Sequence, residues 1–272
     1  MQLGANVPNF GPGTDPGVLR DWARTVEGLG YDLLMVSDHV AVTPDVARQY
    51  PEPFHEPFTT LSWLAAVTTR LRLGTTVLVM PYRHPLLVAR MAGNLDRLSG
   101  GRLVLGVGVG WAQQEFAALG VPFTRRGRMT DQYLDDLRRA WQDGGYGPTA
   151  SVPIWIGGNS DAAVRRAIRL DAPWHPLNNT VPWLRSAVER HSLPGFAPRI
   201  ALRLTTAPVD DLARPAGVGT LEQVLGDLEE LRRLGAESVV LDPYDGDPEE
   251  TRRPRAAWQA LATVADHWRT TA

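Results

Sequence analysis

The sequence predicts an α/β fold of the (β/α)8 TIM-barrel type, and three observations carry that prediction. Apolar runs of strand length alternate with amphipathic helical stretches along the chain. Eight such strands can be counted. The 272 residues lie near the roughly 250 typical of such barrels, so one domain spanning residues 1–272 is expected. An open doubly wound sheet shares much of the pattern, but the strand count favours the closed barrel.

The first strand, Leu3 to Val7, leads into a helix opened by Asp15 as N-cap and Pro16 as first residue. Leu19, Trp22, Ala23, Val26 and Leu29 follow at helical spacing, and Gly30 is the stop. Tyr31 to Ser37 is an apolar run of the kind buried in a parallel sheet. A loop rich in proline, Pro44 to Pro57, meets a helix bearing Leu61, Leu64, Ala65 and Thr68. The alternation repeats with a strand from Arg72 to Val79, a helix from Pro85 to Leu98, the stop Ser99-Gly100-Gly101, and a fourth strand from Arg102 to Val109. A longer helix sets Met129, Tyr133, Leu137, Ala140 and Trp141 on one face. It ends at Gly144-Gly145-Tyr146-Gly147-Pro148, which reads as a loop at the bottom of the same barrel because strand-like Pro153 to Ile156 follows at once. The sixth strand is placed at Ala172 to His175 and the seventh at Arg199 to Thr206. Thr220 and Gln223 make a capping box for a helix whose core stripe is Leu221, Val224, Leu225, Leu228 and Leu231, with Gly235 as its stop. Ser238 to Leu241 completes the eight.

Composition removes several function classes. A net charge of -2 without a basic block argues against nucleic acid, and no apolar run is long enough for a bilayer. A cytoplasmic protein acting on a small-molecule substrate is expected. With no Cys there is no disulfide and no thiolate nucleophile. All 28 basic residues are Arg, so Schiff-base chemistry on Lys is excluded. The six His residues form no His-x-His or HExxH pattern, and no metal centre is expected. Redox work would need a bound organic cofactor.

In a barrel the reacting groups sit just after the strands. Those positions are Asn6, Asp38, His39, Thr76 to Tyr82, Val109 to Trp111, Gly157 to Ser160, and Asp242. Gly157-Gly158-Asn159-Ser160 joins a strand to a helix, with free amides and a helix dipole that suit a phosphate; an ordinary capped turn reads the same way. Gly106, Gly108 and Gly110 leave one strand face nearly bare, which suits a flat ring, or else an interior narrowed by small residues, or a bulge. Their spacing is not GxGxxG, so no Rossmann dinucleotide site is indicated. His39 is the best acid–base candidate, the other reading being a loop or capping histidine. His84, between Arg83 and Pro85, begins a helix and reads as structural. Trp63, Trp111 and Trp155 either line an apolar pocket or pack in the core.

Four stretches, YDLLMVSDHV, EPFTTLSWLAAVTTRLRLGTTVLVMPYRHP, LDRLSGGRLVLGVGVGWAQQEF and PIWIGGNSDAA, occur in an order that resembles the luciferase-like monooxygenase superfamily, in particular its coenzyme F420-dependent oxidoreductases of actinobacterial type. The resemblance runs from about Gly4 to Trp174. It implies a deazaflavin or flavin in the barrel mouth, with its phosphate near Gly157, Gly158, Asn159 and Ser160. It implies a bulge with a non-prolyl cis peptide at Thr76-Val77 behind the ring, and cofactor contacts at Asp38, Val109, Gly110 and Gln114. His39 takes the place of a proposed proton donor or acceptor, and a homodimer is implied as well.

The sequence also departs from those relatives. Trp111 stands where the F420-dependent sugar-phosphate dehydrogenases carry a catalytic Glu, and their phosphate-binding Lys has no counterpart, which argues against that substrate. Val79 replaces a cofactor-binding Thr, so any contact there would be through the backbone. The activity implied first is hydride transfer between F420 and an unsaturated or carbonyl substrate, with His39 giving or taking the proton. The alternatives are an FMN-dependent monooxygenase using dioxygen and a non-catalytic cofactor-binding barrel.

Overall fold

The computed structural model describes residues 1–142 and 150–271. In chain order its strands and helices are β1 (Gln2–Asn6), α1 (Pro16–Gly28), β2 (Leu33–Val36), α2 (Pro44–Ala47), α3 (Pro57–Val67), β3 (Arg72–Thr75), β4 (Leu78–Val79), α4 (Pro85–Ser99), β5 (Leu103–Gly108), α5 (Gln113–Ala118) and α6 (Arg126–Gln142). They continue with β6 (Ile154–Gly157), α7 (Asp161–Leu170), β7 (Trp174–His175), α8 (Val181–Arg190), β8 (Arg199–Ala201), β9 (Arg203–Leu204), β10 (Val218–Gly219), α9 (Leu221–Arg233), β11 (Ser238–Asp242) and α10 (Pro254–Thr271). Parallel pairing runs β7-β6-β5-β3-β2-β1-β11-β8, with β4 carrying the third strand onward beside β5. Parallel bridges from Trp174 to Phe196 and from Leu177 to Arg199 join the two ends, so the sheet is a nearly closed eight-stranded barrel. Among the described residues no helix is long and apolar enough to cross a membrane.

Local sequence accounts for most of these elements. Asp15 accepts from the Val18 amide at the start of α1, whose Leu19, Trp22, Ala23 and Val26 are buried as their spacing predicts. The Thr220–Gln223 capping box is formed, and His84 accepts from the Leu86 amide as the N-cap of α4. The barrel interior holds Leu33, Met35, Val104, Trp155, Ala197 and Val240. Glycines make room for these: a Cβ at Gly106 would stand 2.1 Å from the Thr75 carbonyl oxygen, and one at Gly74 would stand 2.9 Å from Met35 Cε.

The third strand runs as β3 and β4 on either side of Thr76-Val77, whose peptide is cis, as the resemblance implied. Two expectations are corrected. The seventh strand leaves the barrel after Ala201, and Arg203 and Leu204 pair instead with Val218 and Gly219. Gly217, at φ +83°, brings that second strand so close that a Cβ would lie 1.7 Å from the Ala201 carbonyl oxygen. The loop from Pro44 to Pro57 contains α2. The glycine-rich stretch at 144–148 lies outside the described residues.

Candidate functional site

At the C-terminal ends of the strands lies a cavity of about 230 Å³. Eleven of the residues singled out in the sequence line it: Asp38, His39, Thr76, Val77, Val79, Gly108, Val109, Gly110, Trp111, Gly157 and Gly158. Tyr50, Leu177 and Arg199 complete much of the wall. Gln114, Asn159 and Ser160 are not on it. The Gln114 amide donates to Asp45, Ser160 caps α7 by accepting from the Ala163 amide, and the Asn159 side chain exchanges two 2.8 Å hydrogen bonds with the Leu177 backbone. Of the three tryptophans, Trp111 edges the cavity at 50% exposure, Trp155 is buried inside the barrel, and Trp63 is exposed on α3.

The glycines do not leave a bare shelf. A Cβ at Gly108 would meet Val77 Cγ2 at 2.5 Å, and one at Gly157 would meet Val77 Cγ1 at 2.4 Å. Val77 therefore fills the notch between β5 and β6, and the wall it makes is valine and backbone, flush rather than recessed. Behind it the Thr76 hydroxyl lies 2.8 Å from His175 Nε2. His175 Nδ1 is bonded to the Ala197 carbonyl, an acceptor only, so Nδ1 carries the proton and Nε2 accepts from Thr76.

Burial pushes the His175 imidazole down to about 4, an effect that the nearby Arg199 charge reinforces and the Ala197 carbonyl opposes. Its folded value lies below the unfolded 6.5, so the unfolded chain binds the proton more readily. Stability contributed by neutral His175 is complete above about 6.5 and is lost as pH falls toward 4, about 3 kcal/mol in all. Urea titrations should show the parent losing that much more stability between those pH values than His175→Gln, and parallel losses would contradict it.

His39 is held from behind. Its Nδ1 lies 2.6 Å from Glu115 Oε2, and since a carboxylate only accepts, the Nδ1 proton is fixed there. Glu115 is fully buried and also accepts from the Tyr82 hydroxyl at 2.9 Å and from the amides of Val40 and Ala41 at 2.6 and 3.1 Å. Burial raises the carboxyl, but the His39 bond and those amides outweigh it and hold Glu115 below the ordinary carboxylate range. Tyr82 is driven far upward by burial and by the Glu115 charge, which keeps it a donor. His39 Nε2 has no partner among the described residues, and the ring lines the cavity. Tyr50 stacks beside it at 5.4 Å and Trp111 meets it edge-on at 5.7 Å.

The two charged side chains on the wall are neutralised. Asp38 takes both Arg83 nitrogens, at 2.7 and 2.8 Å, and the Val79 amide at 2.9 Å, so the Val79 amide is already in use. Arg199 pairs through Nε with Asp242 at 2.9 Å and donates from Nη1 to the Thr76 carbonyl at 3.1 Å. Sequence reasoning missed Glu115, Arg83, Tyr50 and Arg199, whereas Tyr82 closes the Thr76 to Tyr82 stretch it singled out. Glu115 had a signal, since the motif carrying Gln114 also carries this acid one residue on.

A parallel barrel with a histidine-lined cavity at the C-terminal ends of its strands defines the general class of TIM barrels. More specifically, the family described as luciferase-like monooxygenase matches residues 1–197, and the chain belongs to that family. An uncharacterized protein of Mycobacterium tuberculosis is 36% identical over 182 residues, covering 56% of this chain and 63% of that one. The chain thus spans less than two thirds of that relative's length. The F420-dependent glucose-6-phosphate dehydrogenase of Intrasporangium calvum is 35% identical over 148 residues, 51% of this chain and 41% of that enzyme. Among solved structures, the oxygenating constituent of 3,6-diketocamphane monooxygenase of Pseudomonas putida, in complex with FMN, superposes with a TM-score of 0.72 over 97% of both chains. At 16% identity that likeness is one of fold.

Proposed function

We propose that this protein is an oxidoreductase transferring a hydride between coenzyme F420 and a small organic substrate, with His39 as proton donor or acceptor. The observation that carries this reading is the buried Glu115 behind His39, which commits Nδ1 and leaves Nε2 to the cavity. The likeness to an F420-dependent dehydrogenase supports it.

The residues present fit a flat ring bearing a phosphate. Val77, Val79, Gly108, Val109 and Gly110 offer apolar side chains and backbone, and both wall charges are already paired. α7 opens at the rim after Gly157 and Gly158, and its first-turn amides and dipole suit the phosphate. A bound deazaflavin supplies the hydride. The protein's own part is to exclude water, hold the ring against Val77, and pass a proton at His39 Nε2 while Glu115 stabilises the imidazolium.

Titration of the protein with oxidised F420 and with FMN, followed by cofactor fluorescence, tests the reading. F420 is expected to bind at least about tenfold more tightly, a difference of about 1.4 kcal/mol. The reverse preference, with oxygen uptake on reduced FMN, would favour a flavin monooxygenase. Binding of neither would remove the redox reading.

A further inference from the structure

A second cavity, of about 560 Å³, lies between α10 and the chain that leaves β8 and β11. It is more than twice the size of the barrel-mouth cavity and shares no lining residue with it. Tyr244 stands between the two. It lines the second cavity, its hydroxyl donates to the Gln49 carbonyl, and its ring lies 6.2 Å from that of Tyr50 on the other wall.

Much of the lining is apolar. Trp22, 3% exposed and met edge-on by Trp258 at 5.7 Å, lies there with Leu202, Pro243, Ala257 and Ala260. A space of this size, apolar with a few polar groups, suits a small organic molecule. The polar groups divide by whether the protein already uses them. Asp245 takes Arg203 at 3.4 Å and the Asp247 amide at 3.1 Å, and Glu250 takes the Asp245 amide at 3.0 Å. The Thr251 hydroxyl donates to the Pro248 carbonyl, and that of Thr263 to the Gln259 carbonyl. By contrast, the Trp22 indole N–H, the Arg253 guanidinium and the Gln259 side-chain amide have no partner among the described residues. Both acids are therefore answered from within, while donors are left over, one of them cationic and one on a buried ring.

We propose that this cavity is a second ligand site, for a small aromatic monocarboxylate. The carboxylate is held by Arg253, whose planar fork suits it. The ring packs against Leu202, Pro243 and Ala260 and presents its π face to the Trp22 N–H. An ammonium in the same place would meet an unpaired guanidinium and acids already engaged. The proposal does not depend on the redox reading, because no residue of the barrel-mouth cavity takes part in it.

Equilibrium dialysis of the full chain against 2-naphthoate, 2-naphthamide and 2-naphthylmethylamine tests this, since the three carry one ring with a negative, a neutral and a positive head group. 2-Naphthoate is expected to bind at least about fivefold more tightly than either of the others, with an affinity that falls between about 50 mM and 500 mM salt. Arg253→Gln should weaken it at least about fivefold, while Arg255→Gln, the same charge change at an exposed position off the cavity, leaves it unchanged. Ala260→Trp, which fills the space, should abolish binding. The amide or the ammonium binding as tightly as 2-naphthoate would overturn the proposal. So would indifference to Arg253→Gln, an equal loss in Arg255→Gln, binding retained by Ala260→Trp, or no binding of 2-naphthoate at millimolar concentration.

Discussion

His39→Ala is expected to lower kcat about 100- to 10,000-fold, the usual span for loss of a general acid or base, while cofactor affinity stays close to that of the parent. The ring contributes one unpaired nitrogen to the cavity, and the wall behind it does not depend on that ring for its hydrogen bonds. Glu115→Gln separates positioning from filling. Its amide oxygen still accepts from Nδ1, but the negative charge behind the ring is gone. Glu115→Gln is therefore expected to lower kcat at least about tenfold, with cofactor affinity close to the parent's. A kcat equal to the parent's would show that the carboxylate charge has no role behind His39.

The parts of this site that were readable are those where position alone assigns a role. His39 follows a short apolar strand, and any polar residue there projects into a barrel mouth. The glycines of β5 were readable as a requirement for space, but not for whose space. It belongs to Val77, brought in by the third strand some thirty residues earlier, and local spacing carries no record of that neighbour. Glu115 sits in a short helix of largely exposed residues, where an acid reads as surface; its burial comes from packing under the loop that carries His39. Arg83 looks like a flank of His84 until Asp38 is placed opposite it, 45 residues away. Arg199 opens a short strand, and its interior orientation follows only from barrel closure against β7 and β11. Elements set by capping and period were legible, whereas partners supplied across the barrel were not.

Arg199→Met is expected to cost about 3–5 kcal/mol of folding stability, because it strands a buried carboxylate. Asp242 is 3% exposed, and with the guanidinium gone its carboxylate keeps, among the described residues, the Asn6 side chain at 3.0 Å and the Tyr244 amide at 3.2 Å as donors. The double variant Arg199→Met/Asp242→Asn should regain most of that loss, since an amide oxygen still accepts from both groups without a charge to bury. Recovery of stability need not restore the site. The Thr76 carbonyl loses its Arg199 donor in both variants, and Thr76 and Val77 form the wall against which a ring would lie. Denaturant unfolding and cofactor titration on the same two proteins should therefore diverge, with the double variant refolding near parent stability yet binding at least about tenfold more weakly. If the single variant instead unfolds at the parent's midpoint, the pair is not the closed unit its geometry describes. If the double variant binds like the parent, the Thr76 carbonyl is held well enough by the hydroxyl bond to His175, and the charge in the upper barrel layer serves the fold alone.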